Sequence, residues 1–169
     1  MPTMTLQAMF LAEFDSEMAG TRKTLERIPT DKLSWKPHEK SFTMASLAGH
    51  LAELPHWATS TLAADELNLK GPFERKPPES TEQILATFDR NVTAARELLA
   101  ATNDATLLEN WTLKVEDKPM FTMPRTQVLR AFVLSHAIHH RAQLTVYLRL
   151  LDVAVPGLYG PSADEKNFF

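Results

Sequence analysis

One stretch of this chain restricts its possible folds more than any other. Between Pro124 and Pro156 there is neither proline nor glycine, the two residues least tolerated inside a helix. Pro124 itself suits a helix start, where its missing N–H costs nothing. Met123 to Leu151 is therefore expected to run as one helix of about 27 residues, about 40 Å long. Leu129, Val133, His136, His140, Leu144, Tyr147 and Leu151 recur at spacings of three and four, the period of one helical face. Two imidazoles thus fall inside the stripe that should face a core. Side chains one turn apart have Cβ atoms about 5–6 Å apart, close enough for both rings to reach one metal ion. A histidine on an apolar face also serves as an ordinary hydrogen-bonded core residue, and spacing alone leaves that alternative open.

The 169 residues suit a single domain over 1–169 with a substantial core. Apolar residues at 44% and charged residues at 23% place the chain among ordinary globular proteins. The net charge of −3, with scattered lysines and arginines, argues against a partner held through phosphate neutralisation, so no nucleic acid is expected. There are no cysteines, which removes disulfides and thiolate ligands and leaves only nitrogen and oxygen donors for a metal. The start Met1-Pro2-Thr3-Met4 lacks the pattern of a secretory signal, and no window is apolar enough for a membrane span. The expected location is the cytoplasm.

In chain order, Leu6, Phe10, Phe14, Met18, Leu25 and Ile28 define a first helix from Leu6 to Ile28, stopped by Pro29. Glu13 and Glu17 fall beside its apolar edge, one turn apart, and are expected as solvated flank residues or else as outer partners of a metal site. A connector with Pro29 and Pro37 follows, in which Trp35 should pack across the end of the helices and His38 should be exposed. A second helix, Thr43 to about Ala64, carries Leu47, His50, Leu51, Leu54 and Ala58 on one face. His50 is thus another histidine in an apolar stripe, either a core residue or a ligand. Glu53 lies one turn on, a candidate for proton transfer or for the outer layer of a metal site, or else a surface carboxylate. Pro55 removes an N–H from this helix and predicts a kink just past His50, with His56 at the surface.

Asp65 to Glu79, with Gly71-Pro72 and Pro77-Pro78, reads as a crossover with little regular structure. Ser80-Thr81-Glu82-Gln83 is a capping box opening a third, purely structural helix with Ile84, Phe88, Val92, Ala95 and Leu99 inward. Trp111 to Val115 alternates apolar and polar, Glu116 to Pro119 supplies turn residues, and Met120 to Met123 can return as a short hairpin. The architecture expected is all-α, a four-helix bundle with a long crossover between helices two and three and a β-hairpin before the last helix.

Two histidines on the last helix and one on the second would present three neutral nitrogens on one side of an ion. A set of three leaves coordination positions open, the pattern of catalytic rather than closed structural sites. Such an ion lowers the pKa of a bound water or deprotonates a thiol. His139 points about 100° away from His140 on the helix, so it is expected at the surface or at a subunit contact. Ala137 stands where a His-Glu-x-x-His metalloprotease helix would carry its glutamate.

Leu33-Ser34-Trp35-Lys36-Pro37, Leu47-Ala48-Gly49-His50-Leu51-Ala52-Glu53, His136-Ala137-Ile138-His139-His140-Arg141-Ala142-Gln143-Leu144 and Val155-Pro156-Gly157-Leu158-Tyr159-Gly160, in that order and spacing, resemble the DinB superfamily of metal-binding four-helix bundles. The resemblance spans nearly the whole chain. It implies an up-down-down-up bundle, a homodimer and a metal triad at His50, His136 and His140. It also implies a divalent zinc or nickel ion, a small-molecule substrate and a low-molecular-weight thiol as cosubstrate, as in the bacillithiol- and mycothiol-dependent transferases. Two functional readings follow: a metal-dependent S-transferase or hydrolase that activates thiol or water, and a non-catalytic module that binds a metal or small ligand.

Overall fold

The computed structural model describes residues 4–71 and 76–165. Its helices are α1 (Leu6–Leu25), α2 (Met44–Glu53), α3 (Pro55–Ala63), α4 (Thr81–Ala101), the short α5 (Asp104–Leu108), α6 (Arg125–Val128) and α7 (His136–Leu150). A π-helical segment, Leu129–Ser135, joins α6 to α7, so the last rod is continuous from Arg125 to Leu150. The strands are β1 (Glu66–Leu69), β2 (Asn110–Val115) and β3 (Lys118–Pro124). The fold is therefore mostly helical, as expected, with the hairpin before the last helix extended by a third strand into a small mixed sheet.

Local chemistry accounts for most helix starts. Thr5, Thr43, Ser80 and Asn103 each accept a hydrogen bond from a backbone N–H in the first turn of α1, α2, α4 and α5. In the expected capping box, Gln83 Oε1 accepts from the Glu79 N–H rather than from that of Ser80. Helix α1 ends at Leu25, a turn before Pro29, although Ile28 is still buried. Pro55 does more than kink the second helix: the chain divides at Leu54 into α2 and α3, with Pro55 in the first turn of the new helix, where its lost donor is harmless.

The crossover contains order that its composition did not suggest. Glu66-Leu67-Asn68-Leu69 forms β1 and pairs in parallel with β2, Leu67 opposite Leu113. The expected hairpin is thus the outer part of a three-stranded sheet ordered β1-β2-β3. A parallel pairing across α4 depends on residues more than forty positions apart, so no local pattern could announce it. Pro72 of the same crossover lies outside the described residues. The hairpin turn is the pair Glu116-Asp117, both with positive φ (48° and 64°), the twist that suits a two-residue hairpin.

Helix α4 packs on α1, α2 and α3, and the last rod packs on α1, α2 and α3 from its own side. The main core fills the space between them and includes Phe14, Met44, Leu47, Leu51, Phe88 and Leu144. A second cluster of Trp111, Leu113 and Val128 lies at the sheet, with Trp57, Leu67, Phe121 and Phe132 against it. Trp57 touches both clusters and ties the sheet to the helices. Trp35 meets Tyr147 edge to face, ring centroids 5.7 Å apart, as a packing residue at the helix ends.

Candidate metal centre

The site is assembled where α2 ends and α7 begins. His50 occupies the last turn of α2, and His136 is the first residue of α7, directly after the π-helical segment. π-helical turns interrupt α-helices frequently at functional sites, because the wider turn re-aims the side chains that follow. His140 stands one turn further along α7 and is buried.

The three rings converge. His50 Nε2 lies 3.2 Å from His136 Nε2, and His136 Nε2 lies 2.8 Å from His140 Nε2. One nitrogen from each ring falls within 4.8 Å of the other two. Metal–nitrogen bonds of about 2.0–2.1 Å at tetrahedral or octahedral angles require nitrogens about 2.9–3.4 Å apart. The two shorter spacings, 3.2 and 2.8 Å, are close to this range, and with all three nitrogens within 4.8 Å of one another the set can surround one ion; neutral nitrogen donors suit a divalent metal. Three histidines of this chain are positioned to hold a metal ion.

The electrostatics favour the ligating form of His140. Its Nδ1 is 2.8 Å from Gln143 Oε1, an acceptor only, so Nδ1 carries the proton and Nε2 keeps its lone pair. Desolvation lowers the His140 pKa, the Gln143 bond opposes this, and neighbouring His139 lowers it further, which holds the ring neutral.

The residue after His140 fixes the helix from behind. Arg141 is 2% exposed and reaches into α1, donating to the Glu17 carbonyl at 2.9 Å and to Glu17 Oε2 at 2.7 Å. Tyr159 donates its hydroxyl to the same carboxylate at 2.7 Å, so the C-terminal tail closes over the pair. Glu17 is thus buried and paired, not the solvated flank residue its position beside the apolar edge suggested. Gly20 makes room for the guanidinium, since a Cβ there would lie 2.9 Å from Arg141 Nη1. Glu13 sits at the surface side of α1 and pairs with Arg130.

Two clefts share His50 and Glu53 in their walls. One of about 750 Å³ is walled, among the described residues, by α3, β1, α4 and the last rod, with His50, Glu53 and His136 among its lining side chains. The other, of about 470 Å³, lies between α2 and the connector at 76–78, and His50 and Glu53 line it as well. Gly49 lets that connector approach, because a Cβ would meet Pro78 Cδ at 2.9 Å. Glu53 is half-buried on the wall the clefts share. His38, His56 and His139 are all exposed, as expected, and none belongs to the convergent group.

Sequence reasoning missed Gln143, the Glu17–Arg141–Tyr159 cluster and the aromatic wall of the wider cleft. Gln143 carried a usable signal, lying one turn from His140 on the helix. The partnership of Glu17 with Arg141 spans 124 positions and carried none.

Comparison with known proteins agrees with this architecture. The uncharacterized protein YrdA of Bacillus subtilis (strain 168) is 27% identical over 158 residues, covering 92% of this chain and 89% of YrdA. A DinB-like protein from Bacillus cereus ATCC 10987 has a crystal structure that superposes with a TM-score of 0.71 at 23% identity, over 92% of this chain and 99% of its own. The DinB-like protein YjoA of Bacillus subtilis also gives 0.71, at 18% identity, over 95% and 99%. These two share the fold. The model of the DinB family matches residues 1–167, so with its convergent histidines and helical frame this chain belongs to the DinB family.

Proposed function

We propose that His50, His136 and His140 hold one divalent ion, zinc or nickel, and that the protein is an enzyme activating a thiol or water against a small electrophile. The observation that carries this reading is the convergence of three imidazoles, one of which, His50, lines two clefts while His136 lines the wider of them. One cleft per reactant is what a two-substrate transfer needs, because holding both partners in place removes much of the entropic barrier. When bound, the ion supplies a Lewis acid that lowers the pKa of a thiol or water.

The chain's own residues do the rest. Gln143 orients His140, Arg141 and Glu17 hold α7 against α1, and Glu53, which lines both clefts, is the proposed proton acceptor. We also read α1, α2 with α3, α4, and the last rod as the four members of an up-down-down-up bundle, supported by the long crossover before α4. The active unit is proposed as a homodimer, and the exposure of Val146 and Leu150 along α7 supports it. Light scattering that reads a monomer mass would remove that part. Among the described residues no helix is long and apolar enough to cross a membrane, which suits small dissolved reactants.

The test begins with metal analysis of the purified protein and of His140→Ala. The wild type is expected to hold about one zinc or nickel ion per chain and the variant far less. Turnover of 1-chloro-2,4-dinitrobenzene with a panel of thiols, before and after chelation, then reads the chemistry. Loss of turnover on chelation and recovery on adding metal is the expected result. A bound metal with no metal-dependent thiol or water chemistry across the panel would leave a binding module instead.

A further inference from the structure

The wider cleft has a definite chemical character. Its flat wall is aromatic: Trp57 of α3 and Phe132 of the π-helical segment lie 5.8 Å apart with planes 24° from parallel. Phe132 is backed in turn by Phe121 of β3, at 5.1 Å and 14°. Both lining rings are half-buried, so the stack is held in place from behind while the cleft retains part of its face. Leu67 and Leu69, two apart on β1, point to the same side of the strand and complete an apolar slot.

The slot is not uniformly apolar. Arg90 of α4 lines it, and among the described residues its guanidinium has no hydrogen bond or ion pair. Neighbouring Asn91 donates from Nδ2 to the Ala52 carbonyl at 3.0 Å, which fixes this part of α4 against the end of α2. Arg90 is thereby carried on a braced element, close to the turn that bears His50 and Glu53. A guanidinium presents a planar fork of donors matched to carboxylate, sulfonate or phosphate oxygens. Stacked aromatic rings favour another flat ring laid against them, either offset or edge-on.

We propose that this cleft binds a planar aromatic or conjugated anion, its ring against Trp57 and Phe132 and its charged group at Arg90. Two of the three imidazoles, His50 and His136, line the same cleft, so a molecule seated there lies beside the candidate metal centre. This names the substrate class for the reading given above and rests on that reading for its purpose. The binding itself needs Arg90 and the aromatic wall and does not need the ion.

Calorimetric titration with naphthalene-2-sulfonate, on chelated and on zinc-loaded protein, tests it. Saturable binding is expected in both forms, within about threefold of one another, and about tenfold tighter than for the neutral 2-naphthamide or the non-planar cyclohexanesulfonate. Arg90→Gln, a surface change that leaves the core untouched, is expected to abolish the preference for the anion over the amide. Trp57→Leu is expected to abolish the preference for the planar ring over cyclohexanesulfonate. No saturation below about 1 mM, equal affinity for the three probes, or an Arg90→Gln variant that keeps its anion preference overturns the proposal. So does binding that appears only with zinc, since the anion would then sit on the ion. Intact binding without metal-dependent turnover would instead leave this assignment standing and remove the enzymatic reading.

Discussion

At the residue scale, the side chain that matters most beyond the three histidines is Gln143. Its carboxamide oxygen settles which nitrogen of His140 carries the proton, and a ligand in the wrong tautomer offers no lone pair to an ion. Gln143→Leu is expected to weaken zinc binding by about 10–100-fold, read by competition with a chromophoric chelator, while helicity stays unchanged. Unchanged affinity would mean that His140 is oriented by packing alone. Tyr159 offers a second prediction, in a different pH range. Desolvation of its hydroxyl and then the bond to Glu17 raise its pKa above the ordinary value of about 10, with Arg141 acting in the opposite direction. The raised value means the folded state holds the phenolic proton more tightly than the unfolded chain does. Its contribution to stability is therefore complete below about pH 10 and is lost as pH rises through the folded pKa. An ultraviolet titration should show one phenol ionising above the ordinary range, and Tyr159→Phe should remove that step. If the step that Tyr159→Phe removes lies at the ordinary value instead, the tail is not docked on Glu17.

At the scale of elements, the last rod has two jobs, and consecutive residues divide them. His140 faces the candidate centre, and Arg141 turns to α1 and buries its charge on Glu17. Removing one partner of such a pair leaves a buried charge uncompensated, so Arg141→Met is expected to cost about 3–5 kcal/mol in urea denaturation. Replacing Glu17 by Leu in the same chain should recover much of the loss, because two apolar side chains need no charge partner. A single variant as stable as the wild type would show that α7 is held by core packing alone. Much of this element was legible beforehand: the rod runs unbroken from Arg125, two residues after the expected start at Met123, to Leu150, with Leu129, Val133, His140 and Leu144 buried on its inward stripe and His136 half-buried among them. The π-helical segment was not, because its extra backbone residue comes from tertiary fit and Leu-Arg-Ala-Phe-Val-Leu-Ser contains no helix breaker.

At the scale of the molecule, the sheet is joined to the helices through one buried cation. Arg125 is 3% exposed and donates to the carbonyls of Thr61 and Ala64 at the end of α3, and to Asp65 just before β1 at 2.6 Å. It also reaches the Glu109 carboxylate and the Asn110 carbonyl at the start of β2, both at 3.4 Å. Arg125→Ala strands these carbonyls together, so a loss of about 2–4 kcal/mol is expected, with faster hydrogen exchange at the β1 amides than elsewhere. A loss below about 0.5 kcal/mol would mean that solvent replaces these bonds at no cost. By itself the sequence determined what depends on neighbours within a few turns. That covers where helices begin and break, which faces are apolar, the hairpin around Glu116-Asp117, and the placing of His136 and His140 one turn apart. Only the tertiary structure decided what depends on segments far apart in the chain: β1 beside β2, Glu17 under Arg141, the slot between Trp57 and Arg90, and His50 within 3.2 Å of His136. The division is physical. Helical periodicity and capping are short-range and repeat along the chain, whereas strand pairing, buried ion pairs and a shared ligand site are contacts that exist only once the chain has closed on itself.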